Sequence, residues 1–328
     1  MNTSTEILSG HHLTKRFPVS SAPGMPAGIL TAVDAADLAI SAGETLGIAG
    51  ESGCGKSTMG KMLAGLLPPD MGVVRYQGVP LSELTAPRYA EFRRGTQMIF
   101  QDPYSSLNPR MRIIDIVAEP MLVAGGRGRS EIRDATLDLL AQVGLKPEHA
   151  NRFPDEFSGG QRQRIGIARA LASQPETIIA DEPVSSLDIS IQAQIINLLM
   201  TMKSSYQLSL IIISHDLAVL RHMCDRVVIM YLGAIVESAP ASELFNRCLH
   251  PYTEALISAI PVIDATRHTA VMLTDDLPSP LDIPSGCRFH PRCRYAEDIC
   301  RRQAPPLEEK TAAHHAACHF SDTIFAGS

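Results

Sequence analysis

Residues 50–58 read GESGCGKST, between an apolar stretch, TLGIAG at 45–50, and the stretch KSTMGKMLAGLL at 56–67. The first stretch has the length and composition of a buried strand, and the second has those of a helix. Two prolines at 68–69 are expected to end this helix. The residues between them fit the pattern G-x-x-x-x-G-K-[ST]. A strand, a glycine-rich turn and a helix in this order predict an α/β fold with a loop that binds phosphate groups.

The residue types in this loop suit phosphate chemistry. Gly50, Gly53 and Gly55 allow a loop whose backbone N–H groups point inward at phosphate oxygens, and the helix N-terminus adds positive potential. Lys56 can reach the β- and γ-phosphates, and Ser57 can offer its hydroxyl to Mg²⁺. The strand and helix on either side disfavour an accidental glycine turn. The predicted ATP-binding residues are Gly50, Glu51, Ser52, Gly53, Cys54, Gly55, Lys56, Ser57 and Thr58.

An acidic pair ends a second apolar strand, TIIADEP at 177–183, about 125 residues after Lys56. Asp181 is placed to hold the shell of Mg²⁺, and Glu182 to orient or deprotonate an attacking water. Acid pairs at strand ends are common, so the pair supports a nucleotide site only together with the loop.

The composition excludes several classes. A net charge of −6 and the absence of tryptophan argue against nucleic-acid binding. The N-terminus has no signal-peptide pattern, and no apolar run approaches the ~18 residues of a membrane span. The sequence therefore predicts a soluble, intracellular chain, in which clustered cysteines suggest metal or redox chemistry before disulfides.

The pattern of the chain predicts a two-part organisation. Continuous apolar runs indicate strands of a parallel sheet covered on both faces, and RVVIMYLGAIVES indicates a hairpin around Leu232 and Gly233. Residues 108–157 are helical in pattern, with Gly144 placed as a helix C-cap. After about residue 250 prolines cluster and four cysteines appear. Further predicted elements are a strand at 96–100, a helix from Gly159 to about Ala172, and strands at 177–180 and 208–214.

The stretch FSGGQRQRIGIARAL, residues 157–171, narrows the class. Taken locally it is a serine N-cap, two glycines and an amphipathic helix, with N–H groups exposed as they are at an anion site. The SGGQ sequence, the arginine-rich helix and the acidic strand after it resemble the signature motif of ATP-binding cassette (ABC) ATPases. Four further motifs of that family are matched: Gln101 as the glutamine loop, Ser186-Leu187-Asp188 after the acidic strand, His215 as the switch histidine, and Phe17 as the aromatic residue against adenine.

The resemblance implies an α/β fold of the ABC-type P-loop NTPases, a RecA-like core with a mixed sheet and a helical subdomain at about 102–160. It implies that two cassettes dimerise head to tail, with ATP between the loop of one and Ser158, Gly159, Gly160 and Gln161 of the other. Mg²⁺ would then be held by Ser57, Gln101 and, through water, Asp181. Glu182, His215 and Gln101 are the catalytic candidates, with His215 sensing the γ-phosphate.

Features beyond the core resemble the ATPase subunits of dipeptide and oligopeptide importers, nearest the second ATPase of dipeptide systems. They are an insertion (PVSSAPGMPAGIL), QDPYSSLNPRM, ADEPVSSLDIS, HPYTEALISAIP and a final LPSPL…GCRFHPRC module. The predicted domains are therefore a cassette at 1–250 and an importer extension at 251–328. The implied partners are a second, non-identical ATPase, two transmembrane permeases and an extracytoplasmic peptide-binding protein. The implied location is the cytoplasmic face of a bacterial or archaeal inner membrane.

Other classes fit less well. A DNA-maintenance ATPase would need a long coiled-coil insertion, a translation-type ABC protein would carry two cassettes, and a soluble kinase or GTPase would lack SGGQ. An importer of nickel, glutathione or an antibiotic peptide stays open, because cargo is chosen by other subunits. Cys54 and Ser186 are not the commonest residues at their positions in the two motifs, but both are small. Cys54 would be a modifiable thiol if exposed.

Four of the seven cysteines, Cys287, Cys293, Cys300 and Cys318, fall in the last 42 residues, with spacing C-x5-C-x6-C-x17-C. This spacing is not the C-x2-C of common zinc sites. The resemblance favours a [4Fe–4S] cluster; structural Zn²⁺ and reduced, packing cysteines stay open, with His290 and His319 as substitute ligands. Because the module lies outside the nucleotide motifs in sequence, we expect it to support the fold of the tail and not the hydrolysis chemistry.

Overall fold

The computed structural model describes residues 6–20, 27–102, 104–185, 187–260 and 278–325. The strands are β1 Glu6–Val19, β2 Gly28–Ser41, β3 Thr45–Ala49, β4 Met71–Tyr76, β5 Val79–Pro80, β6 Thr96–Ile99, β7 Thr177–Asp181, β8 Ser209–Ser214, β9 Arg226–Tyr231, β10 Ala234–Pro240, β11 Glu308–Thr311 and β12 His314–Ala316. The α-helices are α1 Lys56–Leu63, α2 Ala86–Gly95, α3 Ile113–Ala124, α4 Arg129–Gln142, α5 Gly159–Leu171, α6 Ile189–Tyr206, α7 Leu217–Met223, α8 Ala241–Asn246, α9 Pro251–Ser258, α10 Asp298–Arg302 and α11 Ser321–Ile324.

The chain forms two compact units. The first consists of Met1–Ile7, Ile40–Glu44 and Tyr76–Ile213, and the second of Leu8–Ala39, Thr45–Arg75 and Ser214–Ser328. The acidic strand and the SGGQ stretch therefore belong to the first unit. The phosphate loop and the cysteines belong to the second.

The first unit is built on parallel strands. β7 pairs in parallel with β6 on one side and with β8 on the other. Every residue of β7 and of β8 is buried, which explains why their sequences are continuously apolar and do not alternate. Helices α3, α4 and α5 pack on one another in the same unit.

The second unit contains a mixed sheet. β3 runs parallel to β9, whereas β9 and β10, β10 and β12, and β12 and β11 pair antiparallel. β1 lies between β2 and β4 in a separate sheet. The phosphate loop follows the fully buried β3 and leads directly into α1.

Most of the predicted elements are present, with local differences at their ends. Gly144, at φ +78°, closes α4: its N–H donates to Ala141, and Leu145 N–H donates to Leu140. The same arrangement explains why α1 ends at Leu63 and does not continue to residue 67. Gly65, at φ +65°, closes that helix before the two prolines are reached.

The domain boundary at residue 250 and the helical subdomain at about 102–160 remain predictions. Ser186, Pro103 and residues 21–26 of the predicted insertion lie outside the described residues, as does Leu277 at the start of LPSPL. Within the part of the chain that the structure describes, no helix combines the length and apolar character of a membrane span.

Candidate nucleotide-binding site

The loop at 50–58 has the backbone geometry that its glycines predict. Gly50 and Gly55 have φ of +148° and +107°. A Cβ atom at Gly50 would lie 2.2 Å from the carbonyl oxygen of Met230, and one at Gly55 would lie 2.0 Å from that of Ala32. Only glycine fits at these two positions, because both the backbone conformation and the space exclude a side chain.

Lys56 is part of the loop structure. Its side-chain ammonium donates hydrogen bonds to the carbonyl oxygens of Gly50 (2.7 Å) and Glu51 (2.9 Å), and the residue is buried. Ser57, the next residue, is half-buried at the start of α1. The ammonium of Lys56 therefore lies against the same loop backbone that is predicted to bind the phosphates.

The carboxylate of Glu51 is held by the C-terminal part of the chain. The guanidinium of Arg292 donates to both of its oxygens, at 2.7 and 3.0 Å. The hydroxyl of Tyr252 accepts a hydrogen bond from the N–H of Glu51 at 2.8 Å. The sequence places Tyr252 in HPYTEALISAIP and Arg292 in the GCRFHPRC module, but it does not predict their contacts with Glu51, because both lie about 200 or more positions from the loop.

Cys54 is not accessible. The residue is 1% exposed, and burial raises the pKa of its thiol. The condition under which it would be a modifiable thiol, exposure, is therefore not met. Its carbonyl oxygen accepts a hydrogen bond from Gly233 N–H at 2.9 Å, which ties the loop to the β9–β10 turn.

The acidic pair ends β7 in the first unit, as predicted. Asp181 is buried, and Glu182 is half-buried. Glu182 has φ +45°, an unfavourable conformation for a non-glycine residue, and its N–H donates to the carbonyl of Ile213 at 2.9 Å. Its carboxylate accepts a hydrogen bond from the side-chain amide of Gln101 at 2.9 Å. Two separately predicted residues thus meet, and strained backbone of this kind clusters at functional sites.

The SGGQ stretch begins α5 with a capping box. The Ser158 hydroxyl accepts from the N–H of Gln161 at 3.4 Å, and the Gln161 side chain accepts from the N–H of Ser158 at 3.1 Å. Ser158 is exposed. Gly160 is packed: a Cβ there would lie 2.5 Å from Cγ2 of Ile191, at the start of α6.

The aromatic ring of Tyr104 lies against Arg162 of α5. The guanidinium of Arg162 lies 4.0 Å from the centroid of its ring. In the sequence Tyr104 is only part of the motif QDPYSSLNPRM, which assigns it no role of its own.

Two other candidates occupy the second unit. His215 is exposed directly after β8, where the buried Ser214 accepts a hydrogen bond from Asp216 N–H at 3.0 Å. Phe17 is half-buried near the end of β1, with the ammonium of Lys15 5.8 Å from its ring centroid. Their roles stay predictions.

The four C-terminal cysteines line one small cavity of about 10 Å³, together with His290 and His319. Burial raises the pKa of Cys287 and of Cys293 to about 11, and it also raises the pKa of Cys318. Among the described residues, no three cysteine, histidine or acidic side chains are arranged to hold one metal ion. The structure thus shows convergence of the thiols without showing a metal site.

Comparison with known families finds two matches along the chain. Residues 33–185 match the family described as ABC transporter, and residues 236–300 match the family described as oligopeptide/dipeptide transporter, C-terminal region.

Known proteins match over nearly the full length. The oligopeptide transport ATP-binding protein AppF of Bacillus subtilis is 46% identical, over 96% of this chain and 97% of its own. The di/tripeptide transport ATP-binding protein DppF of Pseudomonas aeruginosa is 43% identical, over 94% and 98%.

Among solved structures, the dimeric bacterial ABC transporter cassette MJ0796 has a TM-score of 0.64 at 28% identity, covering 72% of this chain and 99% of that one. A post-hydrolysis dimer of the same cassette with ADP and phosphate has a TM-score of 0.63. The predicted α/β nucleotide-binding fold is therefore confirmed.

Proposed function

The chain belongs to the ATP-binding proteins of oligopeptide and dipeptide ABC transporters, and from that membership we propose that it is the ATP-hydrolysing motor subunit of a peptide importer. The observation that carries the proposal is the end-to-end similarity to AppF and DppF, which includes the region after the cassette motifs. A protein that shared only the ATPase chemistry would need no such region.

The nucleotide is bound by the loop of this chain. Backbone N–H groups of residues 50–58 hold its phosphates with Lys56, and Phe17 lies against adenine. Ser57, Gln101 and, through water, Asp181 would supply the oxygen atoms that Mg²⁺ prefers. The side-chain amide nitrogen of Gln101 faces Glu182, which leaves its carbonyl oxygen available as a ligand. When bound, Mg²⁺ neutralises charge on the transferred phosphate.

Hydrolysis is assigned to the acid that follows β7. Glu182 orients and deprotonates the attacking water, Gln101 positions the carboxylate, and His215 senses the γ-phosphate. The start of α5, from the exposed Ser158 to Gln161, completes the ATP site of a partner cassette with helix N–H groups and a serine hydroxyl.

The proposed assembly contains two permeases, a second ATPase and an extracytoplasmic peptide-binding protein. The second ATPase is a different chain, so that the two ATP sites are unequal. The subunit then sits peripherally on the cytoplasmic face of the inner membrane. An importer of nickel, glutathione or an antibiotic peptide is the alternative, since this chain does not touch the cargo.

Co-expression with the neighbouring permease and ATPase subunits tests the proposal. The complex is purified, and its ATPase rate is measured with empty binding protein and with binding protein loaded with di- or oligopeptides. Several-fold stimulation by the peptide-loaded form supports the proposal. Full activity without membrane partners, or stimulation by nickel or glutathione instead, contradicts the peptide-import role.

The cysteine cavity is proposed to hold a [4Fe–4S] cluster, with structural Zn²⁺ as the alternative. Four thiols around one cavity are the ligand set that such clusters use. A tetrahedral Zn²⁺ with bonds of ~2.3 Å would place its sulfur ligands only about 3.8 Å apart. A cluster of four irons would space its ligands more widely, so the two metals require different separations of the four thiols.

The histidines beside the cavity have defined partners. A ring nitrogen of His290 bonds to the carbonyl of Cys287 at 2.9 Å, and one of His319 bonds to the carbonyl of Gln303 at 2.9 Å. Each ring therefore has one nitrogen left as a substitute ligand. Anaerobic purification tests the proposal: a brown protein absorbing near 400 nm supports the cluster, zinc by elemental analysis supports the alternative, and a colourless, metal-free protein contradicts both.

A further inference from the structure

The C-terminal module, defined as residues 278–325, reaches the phosphate loop through a buried ion pair. Arg292 and Glu51 lie 241 positions apart in sequence, and the guanidinium meets the carboxylate with two hydrogen bonds. The side chain of Arg292 is 4% exposed and that of Glu51 is 27% exposed. A bidentate, mostly buried pair of this kind restrains the orientation of the two side chains and also compensates the charge of the carboxylate.

Glu51 transmits this contact to the loop. Its carbonyl oxygen accepts from the ammonium of Lys56, and its N–H donates to the buried hydroxyl of Tyr252. The ring of Phe289, in the module, packs against that of Tyr252 with centroids 5.4 Å apart. A displacement of Glu51 would therefore move both the loop backbone and the lysine.

A second arginine of the module contacts the β9–β10 turn, which is hydrogen-bonded to the loop. Arg288 donates to the carboxylate of Asp34 and to the carbonyl of Leu232. The neighbouring Gly233 N–H donates to the carbonyl of Cys54. Arg288 directly follows Cys287, and Arg292 directly precedes Cys293, so the two contacts start beside two of the cysteines of the cavity.

We infer that Arg292 is a positioning residue of the nucleotide site: by holding Glu51, it keeps the phosphate loop in the conformation that binds ATP. This inference rests on the proposed role of residues 50–58, and it differs from the expectation that the module supports only its own fold. No direct contact of Arg292 with the nucleotide is proposed. The residue acts through Glu51 and the backbone next to it.

The test is equilibrium binding of ADP by the full-length chain, measured by calorimetry together with thermal unfolding. Arg292→Met removes the guanidinium and leaves a partly buried carboxylate without its cation, which we expect to weaken binding about tenfold. Glu51→Gln removes the charge of the other partner and is expected to weaken binding to a similar degree, and the double variant is expected to bind about as weakly as either single variant, because each substitution breaks the same contact. A merely structural role would move the melting temperature without this non-additive loss of affinity.

Arg294→Met is the matched control. Arg294 belongs to the same module, is half exposed, and pairs with Glu254, which is outside the loop. We expect it to bind ADP as the wild type does. If Arg292→Met fails to fold, Arg292→Lys is compared with Arg294→Lys, and about threefold weaker binding by the former is expected because lysine lacks the two-pronged geometry.

The outcomes separate the inference from the proposed function. Lys56→Ala must lose ADP binding if the loop holds the phosphates. Loss with Lys56→Ala, together with wild-type binding by the Arg292 variants, overturns the inference and leaves the proposed function standing. Wild-type binding by Lys56→Ala overturns both.

Discussion

The side-chain amide of Gln101 donates a hydrogen bond to the carboxylate of Glu182 at 2.9 Å. Glu182 itself has φ +45°, directly after the buried end of β7. The carboxylate is thus held by a neighbouring side chain, on a residue whose backbone lies in the left-handed region. This arrangement suits a group that must meet a water molecule in one orientation.

Replacement of Glu182 by Gln keeps the size of the side chain and an acceptor for Gln101, but it removes the base. We expect ATP hydrolysis by the assembled transporter to fall at least about 100-fold, since a positioned base supplies 10²–10⁴ in rate. ATP binding is expected to stay within about threefold of the wild type. Single-turnover hydrolysis and equilibrium binding are measured. Glu91→Gln, an exposed acid on α2, is the control; unchanged turnover in Glu182→Gln would show that the assignment is wrong.

Gly55→Ala places a Cβ 2.0 Å from the carbonyl of Ala32, in addition to the cost of φ +107°. The loop must then shift, and we expect ADP affinity to fall more than about tenfold. Gly43→Ala is the matched control, because Gly43 also has a positive φ (+74°) but nothing within 4 Å of the added atom. Equal affinities of the two variants, measured by calorimetry, would contradict the geometry of the loop.

Two glycines of α5 are expected to respond in opposite directions. Gly166→Ala adds a methyl group in open space and should raise the free energy of unfolding by about 0.5–1 kcal/mol through helix propensity. Gly160→Ala meets Cγ2 of Ile191 at 2.5 Å and should lower it by about 1–3 kcal/mol. Denaturant unfolding measures both changes. In a protein that already carries Ile191→Ala, which removes the clashing Cγ2 atom, Gly160→Ala should lower the free energy of unfolding less. Stabilisation by Gly160→Ala would refute the packing of α5 against the start of α6.

His250 predicts a pH dependence of stability. It is buried at the N-terminus of α9, its Nδ1 accepts from Tyr252 N–H, and burial lowers its pKa to about 3. Between pH 6.5 and 3 the unfolded chain binds this proton and the folded chain does not. The contribution of the neutral His250 to the free energy of unfolding is therefore complete above pH 6.5 and is lost as the pH falls toward 3.

His250→Asn keeps a capping acceptor that does not titrate. The wild type should exceed this variant in free energy of unfolding by about 2 kcal/mol less at pH 5 than at pH 7.5, at 1.36 kcal/mol per pH unit. Urea unfolding at the two pH values measures this difference, with the exposed His222→Asn as the control. Parallel curves for wild type and His250→Asn would contradict a buried, neutral His250.

Much of the fold could be read from local patterns. The strand before the loop, the acidic strand β7 and the closing Gly144 all follow from short-range signals: apolar runs, or a glycine after a helix. β1 and β2, each of 14 residues, were not recognised. Their sequences mix charged, polar and apolar residues without a clear alternation, since their pairing and not their pattern makes them strands.

The site was predictable where a motif carried the chemistry. Gln101 and Glu182 were named separately, and the fold brings them together. Arg292 and Tyr252 were missed because a contact across 241 or 201 positions leaves no periodicity or spacing to read. For the acidic Glu51 the sequence offers 23 arginines as partners without singling one out.

Peptide uptake by reconstituted vesicles shows whether ATP hydrolysis by this chain drives import. The complete complex is placed in proteoliposomes with peptide-binding protein outside and ATP inside, and entry of a radiolabelled dipeptide is measured. We expect ATP-dependent accumulation of the dipeptide with the wild-type subunit and none with Glu182→Gln. Equal accumulation with both subunits, or rapid ATP hydrolysis without any peptide entry, would contradict it.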